Sequence, residues 1–90
     1  MDFEESITKQ IGKTIRARRK SKGYTIEDLA YHSEVNDSTI ERIERGKATA
    51  KIPTLFKIAA GLNLKSPYEL LVDADKNIYP KLKEELKKDD

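Results

Sequence analysis

The stretch from residue 25 to residue 46 constrains the fold of this chain more than any other segment. Leu29 and Ala30 lie on one face of a first predicted helix, and Ile40 and Ile43 lie on one face of a second. The small side chain of Ala30 allows the two helices to approach closely where they cross. The pattern therefore predicts two short helices joined by a tight turn.

Polar residues mark where these two helices begin. Thr25 caps the first, and Asp28 places a carboxylate in its first turn, where the helix dipole favours negative charge. Asn36 caps the second, which we expect to run from residue 37 to about residue 45, and Gly46 suits the left-handed position after it. This is a helix-turn-helix arrangement, in which the second helix can enter the DNA major groove.

A longer amphipathic helix is predicted before this unit, from about residue 5 to residue 21. Ile7, Ile11 and Ile15 recur every four residues and form its apolar stripe, and Gly23 follows its end. Its other faces and the residue just after it carry cations with no acid among them: Lys9, Lys13, Arg16, Arg18, Arg19, Lys20 and Lys22. These cations either contact phosphates or form a solvated helix face.

Two further helices are predicted after the unit. The fourth runs from about Pro53 to residue 62, with apolar residues at helical spacing: Leu55, Ile58, Ala59 and Leu62. A short fifth helix, residues 68–72, follows Ser66 and Pro67. No segment has the pattern of a strand, so the predicted fold class is all-α, with one DNA-binding domain over residues 1–72.

Residues 73–90 differ in composition from this domain and predict a C-terminal tail. Residues 73–77 form a polar linker, and residues 80–88 form a short amphipathic helix with a thin apolar stripe of Tyr79, Leu82 and Leu86. A helix of this length is not stable alone in water. It is therefore either a frayed, solvated end or a helix that packs on the fifth helix or on a partner subunit.

Composition excludes several functional classes. The chain has 90 residues, no cysteine and one histidine, so a disulfide framework and a zinc site of the usual ligands are not expected. No apolar run approaches the roughly 20 residues that span a bilayer, and the N-terminus does not have the pattern of a secretory signal. No carboxylate lies beside a recognisable nucleophile or phosphate-binding loop. We therefore expect a cytoplasmic protein that is not an enzyme and has no metal or cofactor.

Residues 7–71 resemble the Xre family of helix-turn-helix domains, which includes the lambdoid phage repressors and Cro proteins. The matching residues are Arg16, Arg19, Gly23, Thr25, Leu29, Ala30, Val35, Ser38, Thr39, Ile40, Ile43, Glu44, Arg45, Gly46, Lys47, Leu55, Ile58, Ala59, Leu62, Glu69, Leu70 and Leu71. The resemblance implies a five-helix, lambda-repressor-like fold, operator binding and a bacterial or phage origin. Glu34 and Ile26 depart from it, because the family usually has glycine and glutamine at these positions.

The N-terminal half of the third helix faces base edges in this motif. Because Ile40 and Ile43 face the core, the residues that project outward or sideways are Asp37, Ser38, Glu41 and Arg42. Arg42 is the leading candidate for reading guanine O6 and N7, although it could instead pair with Glu41. Ser38 either contacts DNA or assists the cap. Asp37 and Glu41 could each accept a hydrogen bond from cytosine N4. Alternatively, Asp37 stabilises the helix dipole and Glu41 is a solvated carboxylate.

Further contacts are expected at helix ends and in loops. The candidates for the DNA backbone are Thr25, Asn36, Thr39, Arg45, Lys47 and Lys51, and such contacts fix register without reading sequence. The resemblance also implies an ion pair between Arg19 and Glu44. It implies a dimer contact around the fifth helix, with these candidates: Leu64, Tyr68, Leu70 and Leu71.

The leading hypothesis is a dimeric transcriptional regulator, acting as a repressor, that binds double-stranded DNA at a near-palindromic operator. The alternative is a non-catalytic protein-interaction module on the same fold, such as an antitoxin or the partner of an anti-repressor. The carboxylates of Asp37 and Glu41 favour the alternative, and the cations of Arg42, Arg45 and Lys47 favour DNA. The net charge of +2 does not decide between them.

Overall fold

A computed structural model describes residues 2–88, and every regular element in this range is helical. The elements are α1 (Phe3–Ser21), α2 (Ile26–Ser33), α3 (Asp37–Glu44), α4 (Ile52–Gly61), a 3₁₀ helix (Pro67–Leu70), α5 (Val72–Asn77) and α6 (Tyr79–Glu85). The predicted all-α fold class is confirmed. Residues 1, 89 and 90, which the predicted domain and tail include, lie outside the described residues.

The helix starts follow from short polar side chains. α1 begins two residues earlier than predicted because the Asp2 carboxylate accepts a hydrogen bond from the Glu5 backbone N–H at 3.1 Å. At the start of α2, the Thr25 hydroxyl accepts from the Asp28 N–H at 3.0 Å, and the Asp28 carboxylate accepts from the Thr25 N–H at 2.9 Å. This reciprocal capping box lowers the pKa of Asp28, first through the hydrogen bond from the Thr25 backbone.

The turn between α2 and α3 contains a non-glycine residue in the left-handed region. Glu34 has a φ of 55°, and its backbone N–H donates to the Ala30 carbonyl. This position is where the family pattern usually has glycine, and the chain adopts the same backbone conformation with a glutamate. For such a residue the left-handed region costs about 1–2 kcal/mol.

The core lies where α1 to α4 and the 3₁₀ helix meet. Its buried apolar residues are Ile15, Leu29, Ile40, Ile43, Leu55, Ile58, Ala59, Leu62 and Leu70. The core positions predicted in the second, third and fourth helices are therefore confirmed, except that Ala30 is only partly buried against this core. Ile7 and Ile11, on the same stripe as Ile15, are only half-buried: both line a groove beside α5 and α6, and Ile11 also packs against the edge of the core.

The structure corrects the prediction for the fifth helix. The short helix predicted over 68–72 is a 3₁₀ turn that ends at Leu70, and Val72 already belongs to α5. The Ser66 side chain accepts from the Tyr68 N–H at 3.1 Å and starts this turn one residue before the predicted start. A 3₁₀ turn is tighter than an α-helix and is normally used in such short pieces.

The predicted polar linker at 73–77 is wrong, because these residues form most of α5. Asp73 lies in the first turn of α5, where the helix dipole stabilises its charge, and its carboxylate lies 2.8 Å from the Thr14 hydroxyl of α1. Asp75 accepts a hydrogen bond from the Tyr68 hydroxyl at 2.8 Å. Two polar residues of this segment, Asp73 and Asp75, thus make tertiary contacts that stabilise α5.

The predicted tail helix exists but spans Tyr79–Glu85 instead of 80–88. Ile78, between α5 and α6, is 9% exposed and anchors the junction. Together with α1 and the 3₁₀ helix, α5 and α6 form an open apolar groove lined by Ile7, Ile11, Tyr68, Leu71, Ala74, Asp75, Tyr79 and Leu82. The tail therefore packs on α5 and forms one wall of this groove.

Candidate nucleic-acid interface

A buried ion pair fixes the position of α3 on α1. Arg19 Nε lies 2.7 Å from Glu44 Oε2, and Arg19 Nη2 lies 2.9 Å from Glu44 Oε1, so the contact is bidentate. Arg19 Nη1 also donates to the Tyr24 carbonyl at 2.8 Å. Each residue of the pair is only 8% exposed. The two side chains that the family resemblance joins do meet, and they hold the C-terminal end of α3 in place.

The charge of this pair is stabilised in spite of its burial. The side-chain hydrogen bonds to Glu44 raise the pKa of Arg19 above its ordinary value, while burial acts in the opposite direction. All the buried side-chain nitrogen and oxygen atoms of the described residues have hydrogen-bond partners. The pair is thus a fully satisfied structural contact, and its groups are occupied within the protein.

A glycine allows α1 to approach α3 closely. Gly12 lies against the backbone carbonyls of Ile43 and Glu44, and a Cβ at this position would overlap the Ile43 oxygen. Only a residue without a side chain permits this spacing. Together with the ion pair, this contact orients α3 so that the face opposite Ile40 and Ile43 is directed to solvent.

The exposed face of α3 carries the predicted base-reading residues. Asp37, Ser38, Glu41 and Arg42 are all exposed. Glu41 Oε1 lies 3.5 Å from Arg45 Nη1, one turn further along, and not beside Arg42. Within residues 2–88, the Arg42 guanidinium has neither an ion pair nor a hydrogen bond. Its donors are therefore available to an external acceptor.

Ser38 takes part in the cap of α3. Its hydroxyl donates to Asn36 Oδ1 at 2.6 Å, and its backbone N–H donates to the same oxygen at 2.9 Å. The hydroxyl hydrogen and the Asn36 carbonyl oxygen are thus engaged with each other. The Ser38 oxygen can still accept a hydrogen bond, and the Asn36 amide can still donate.

Carboxylates surround the N-terminal end of α3. A shallow cleft between α2 and α3 is lined by Ile26, Glu27, Asp37, Ser38 and Glu41. Glu27 was not among the residues predicted to contact DNA. The signal for it is present in the sequence, since helical periodicity places Glu27 on the face of α2 opposite the buried Leu29. This end of the surface therefore accepts hydrogen bonds as readily as it donates them.

The residues predicted to contact phosphates lie in three places. Thr25 and Asn36 act as helix caps, as described above. Thr39 and Lys51 are brought together across a cleft between α3 and α4 that also contains small side chains: Ala48, Thr49, Ala50 and Thr54. Arg45 and Lys47 are exposed at and after the end of α3. A hydrogen bond of 3.1 Å between the Thr8 and Thr49 hydroxyls ties this loop to α1.

The predicted dimer residues are not all available at the surface. Leu70 is fully buried in the core, so its assignment to a dimer interface is wrong: the 3₁₀ turn directs it inward. Leu64 is partly buried against the same core. Tyr68 is 52% exposed, and both Tyr68 and Leu71 line the apolar groove.

These elements define the class of protein. The chain belongs to the helix-turn-helix family, which it matches over residues 15–70, and the resemblance seen in the sequence is confirmed. The chain is similar to the HTH-type transcriptional regulator SlrR of Bacillus subtilis, with 40% identity over 73 residues. That match covers 80% of this chain and 47% of SlrR.

The fold of this chain is also similar to those of two solved controller proteins. The restriction-modification controller protein C.AhdI from Aeromonas hydrophila has a TM-score of 0.67 and 30% identity, covering 70% of this chain and 94% of that one. The wild-type restriction-modification controller protein C.Esp1396I has a TM-score of 0.67 and 32% identity, covering 92% and 96%. The chain spans less than half the length of the curated relatives that it matches. In the described range, no helix has both the length and the apolar character needed to cross a membrane.

Proposed function

We propose that this chain is a DNA-binding transcription regulator that represses by binding a near-palindromic operator as a homodimer, with α3 in the major groove. One observation carries the proposal. The buried Arg19–Glu44 pair holds α3 with an exposed face on which the Arg42 guanidinium has no partner within residues 2–88. Membership of the helix-turn-helix family and the regulators among its relatives support DNA binding and transcription regulation. Such a regulator acts in the cytoplasm, on the DNA of the nucleoid.

Arg42 is the proposed main base reader. A free guanidinium can donate two hydrogen bonds to guanine O6 and N7, which discriminates against other bases by roughly 1–3 kcal/mol. Asp37 and Glu41 are proposed to accept from cytosine N4, because a carboxylate cannot bind a phosphate without repulsion. Ser38, with its hydrogen engaged by Asn36, contributes only as an acceptor.

The proposed phosphate contacts surround this face. Lys47, Lys51 and Arg45 supply positive charge, and the Thr39 hydroxyl and the Asn36 amide supply donors. The N-terminal end of α2, which Thr25 caps, is proposed to face the backbone, since helical N–H groups without a partner favour an anion. These contacts set the register of the reading helix on the duplex.

Two copies are required for specificity in this proposal, since one reading helix covers only a few base pairs. Two-fold dimers of this motif bind half-sites about one helical turn, roughly 10 base pairs, apart. We assign the dimer contact to the apolar groove, with Tyr68, Leu71 and Leu82 as its main residues. It is the surface where α5 and α6, which have no fully buried residue of their own, leave apolar side chains uncovered.

The experiment that tests the proposal is selection from a library of random duplex DNA, followed by footprinting. We expect an enriched motif with two-fold symmetry and half-sites about one helical turn apart. Placing this motif over a reporter promoter should reduce transcription when the protein is present. A library without any enriched motif would contradict the proposal.

A second function, binding of a protein partner through the α3 face, is favoured by one observation. Three carboxylates, from Glu27, Asp37 and Glu41, line the cleft at the N-terminal end of α3, and they repel a phosphate backbone. A basic protein would be attracted to the same surface. This function predicts no enriched DNA motif, so the selection experiment distinguishes the two.

A further inference from the structure

The cations of α1 fall into two groups, those that have a partner within the protein and those that are exposed. The first group is engaged within the protein: Lys9 pairs with Glu5, Arg18 lies 3.5 Å from Glu69, and Arg19 binds Glu44. Lys22, just after α1, donates to the Leu62 carbonyl at 3.2 Å. The second group consists of Lys13, Arg16 and Lys20, which are exposed. None of the three has an ion pair with a carboxylate in the described part of the chain.

These three cations form one stripe, here called the α1 stripe. Their spacing of three and four residues places Lys13, Arg16 and Lys20 on the same face of a helix. At 1.5 Å per residue, the stripe extends about 10 Å along α1. Between Lys9 and Lys22 the sequence contains no acid, so that the stripe is not neutralised along its own helix.

The α1 stripe is continuous with the proposed DNA surface. Lys9, one turn before Lys13, lies against Gly46, just after α3, although its ammonium pairs with Glu5 at 2.8 Å. The Thr8–Thr49 hydrogen bond joins the same end of α1 to the loop that carries Lys47. Glu44, the α3 carboxylate whose backbone lies against Gly12 of α1, is engaged by Arg19.

The reading face alone supplies little net attraction for DNA. Glu27, Asp37 and Glu41 offset the charges of Arg42 and Arg45 there. Electrostatic neutralisation of phosphates provides essentially all of non-specific DNA affinity and much of specific affinity. A domain with this reading face therefore needs positive charge from neighbouring surfaces, of which Lys47 and Lys51 supply only a part.

We propose that Lys13, Arg16 and Lys20 form a second DNA-contacting surface, which binds backbone phosphates beyond the base pairs that α3 reads. The inference rests on the proposed function, since it takes duplex DNA as the partner. The stripe runs along α1 away from the α3–α4 loop, and a group of cations without acids attracts the negative charge of a phosphate backbone. The α1 stripe would increase the affinity for DNA without changing base preference, because it contacts no base edge.

The test uses the full chain and a mixed-sequence duplex of about three helical turns, with binding measured over a salt series. Lys13, Arg16 and Lys20 are all changed to Gln in one variant. Its matched control changes Lys81, Lys83 and Lys87 of the tail to Gln, which removes the same charge elsewhere. At about 0.9 per phosphate, loss of the stripe should reduce the slope of log K against log salt by about 2 to 3. The control should change the slope by less than about 0.9, the value for one phosphate contact.

Three results would overturn the inference. The stripe variant could keep the wild-type slope, the tail control could lose as much slope as the stripe variant, or the stripe variant could change base preference in the selection experiment.

If the wild-type chain binds no duplex at all, the proposed function itself fails. If the wild-type binds and the stripe variant is indistinguishable from it, only the α1 stripe is wrong, and an acidic protein becomes its better partner. Thermal unfolding of both variants checks that the exposed substitutions leave the fold intact.

Discussion

The helix-turn-helix core, residues 3–70, and the C-terminal segment, residues 72–85, are stabilised in different ways. The core contains a continuous set of buried apolar residues and a buried ion pair. In α5 and α6 no residue is fully buried, and the segment is held by Ile78 at its junction and by hydrogen bonds from Thr14 and Tyr68. The difference indicates a division of roles: the core contains the buried residues that hold α3, while the C-terminal segment leaves an apolar surface that a second copy can cover.

The largest expected effect is loss of core stability on breaking the buried ion pair. Glu44→Ala leaves the Arg19 guanidinium buried without its charge partner, and removing one member of such a pair costs about 3–5 kcal/mol. Urea unfolding measures the change. The control is Glu41→Ala, which breaks the exposed pair with Arg45 and should cost less than about 1 kcal/mol.

A double-mutant cycle sharpens this prediction. Arg19 and Glu44 should show an interaction energy above about 0.5 kcal/mol, since their contact is buried and bidentate. A coupling of zero, or equal losses for Glu44→Ala and Glu41→Ala, would mean that the core does not depend on the pair.

The next largest effect concerns the C-terminal segment. Leu82→Glu places a charge in the apolar groove, and loss of a buried leucine contact is worth about 1.5–3 kcal/mol, or roughly tenfold or more in the dimer dissociation constant. Analytical ultracentrifugation measures it. The control is Leu86→Glu, the same change at a residue of the tail that does not line the groove. Equal weakening by both variants would place the interface elsewhere on the tail.

A smaller effect is expected at the contact that joins the two regions. The Thr14 hydroxyl lies 2.8 Å from the Asp73 carboxylate and 3.0 Å from the Gln10 carbonyl, and it can donate to one of them at a time. Thr14→Val removes the link with little change of volume and should cost about 1 kcal/mol. Hydrogen exchange should become faster in α5 and remain unchanged in α3. Faster exchange in both helices would show that the two regions are one cooperative unit.

The smallest effect is a gain in stability at the turn. Glu34 has a φ of 55°, and Glu34→Gly relieves the cost of the left-handed backbone, so that stability should rise by up to about 1 kcal/mol. Asn63→Gly is the matched comparison, because Asn63 has a φ of 56° but asparagine tolerates this region better. The gain at Asn63 should be smaller in thermal unfolding. A loss of stability on Glu34→Gly would mean that the Glu34 side chain contributes more than its backbone costs.

The sequence predicted the core well because local signals decided it. The caps at Thr25 and Asn36, and the helical spacing of residues such as Leu29 and Ile40, need only neighbours a few residues away. The resemblance added the Arg19–Glu44 contact, which joins helices distant in sequence.

The C-terminal segment was predicted less well because its signals are not local. Asp73 and Asp75 have the composition of a linker, and their partners Thr14 and Tyr68 are visible only in the folded chain. Leu70 and Leu71 are adjacent apolar residues, and the geometry of the 3₁₀ turn decides that Leu70 is buried while Leu71 lines the groove.

The central claim is that α3 reads DNA while the C-terminal segment joins two copies. It is tested most directly by measuring the binding of three proteins, the wild type, Arg42→Ala and Leu82→Glu, to the selected operator and to one isolated half-site. Arg42→Ala should lose about 1–3 kcal/mol per half-site on both duplexes and relax base preference at one position of each half-site. Leu82→Glu should bind the full operator more weakly than the wild type, yet bind the half-site equally well with unchanged base preference. Equal binding of Leu82→Glu and the wild type to the full operator, or an equal loss on the half-site, would contradict the claim.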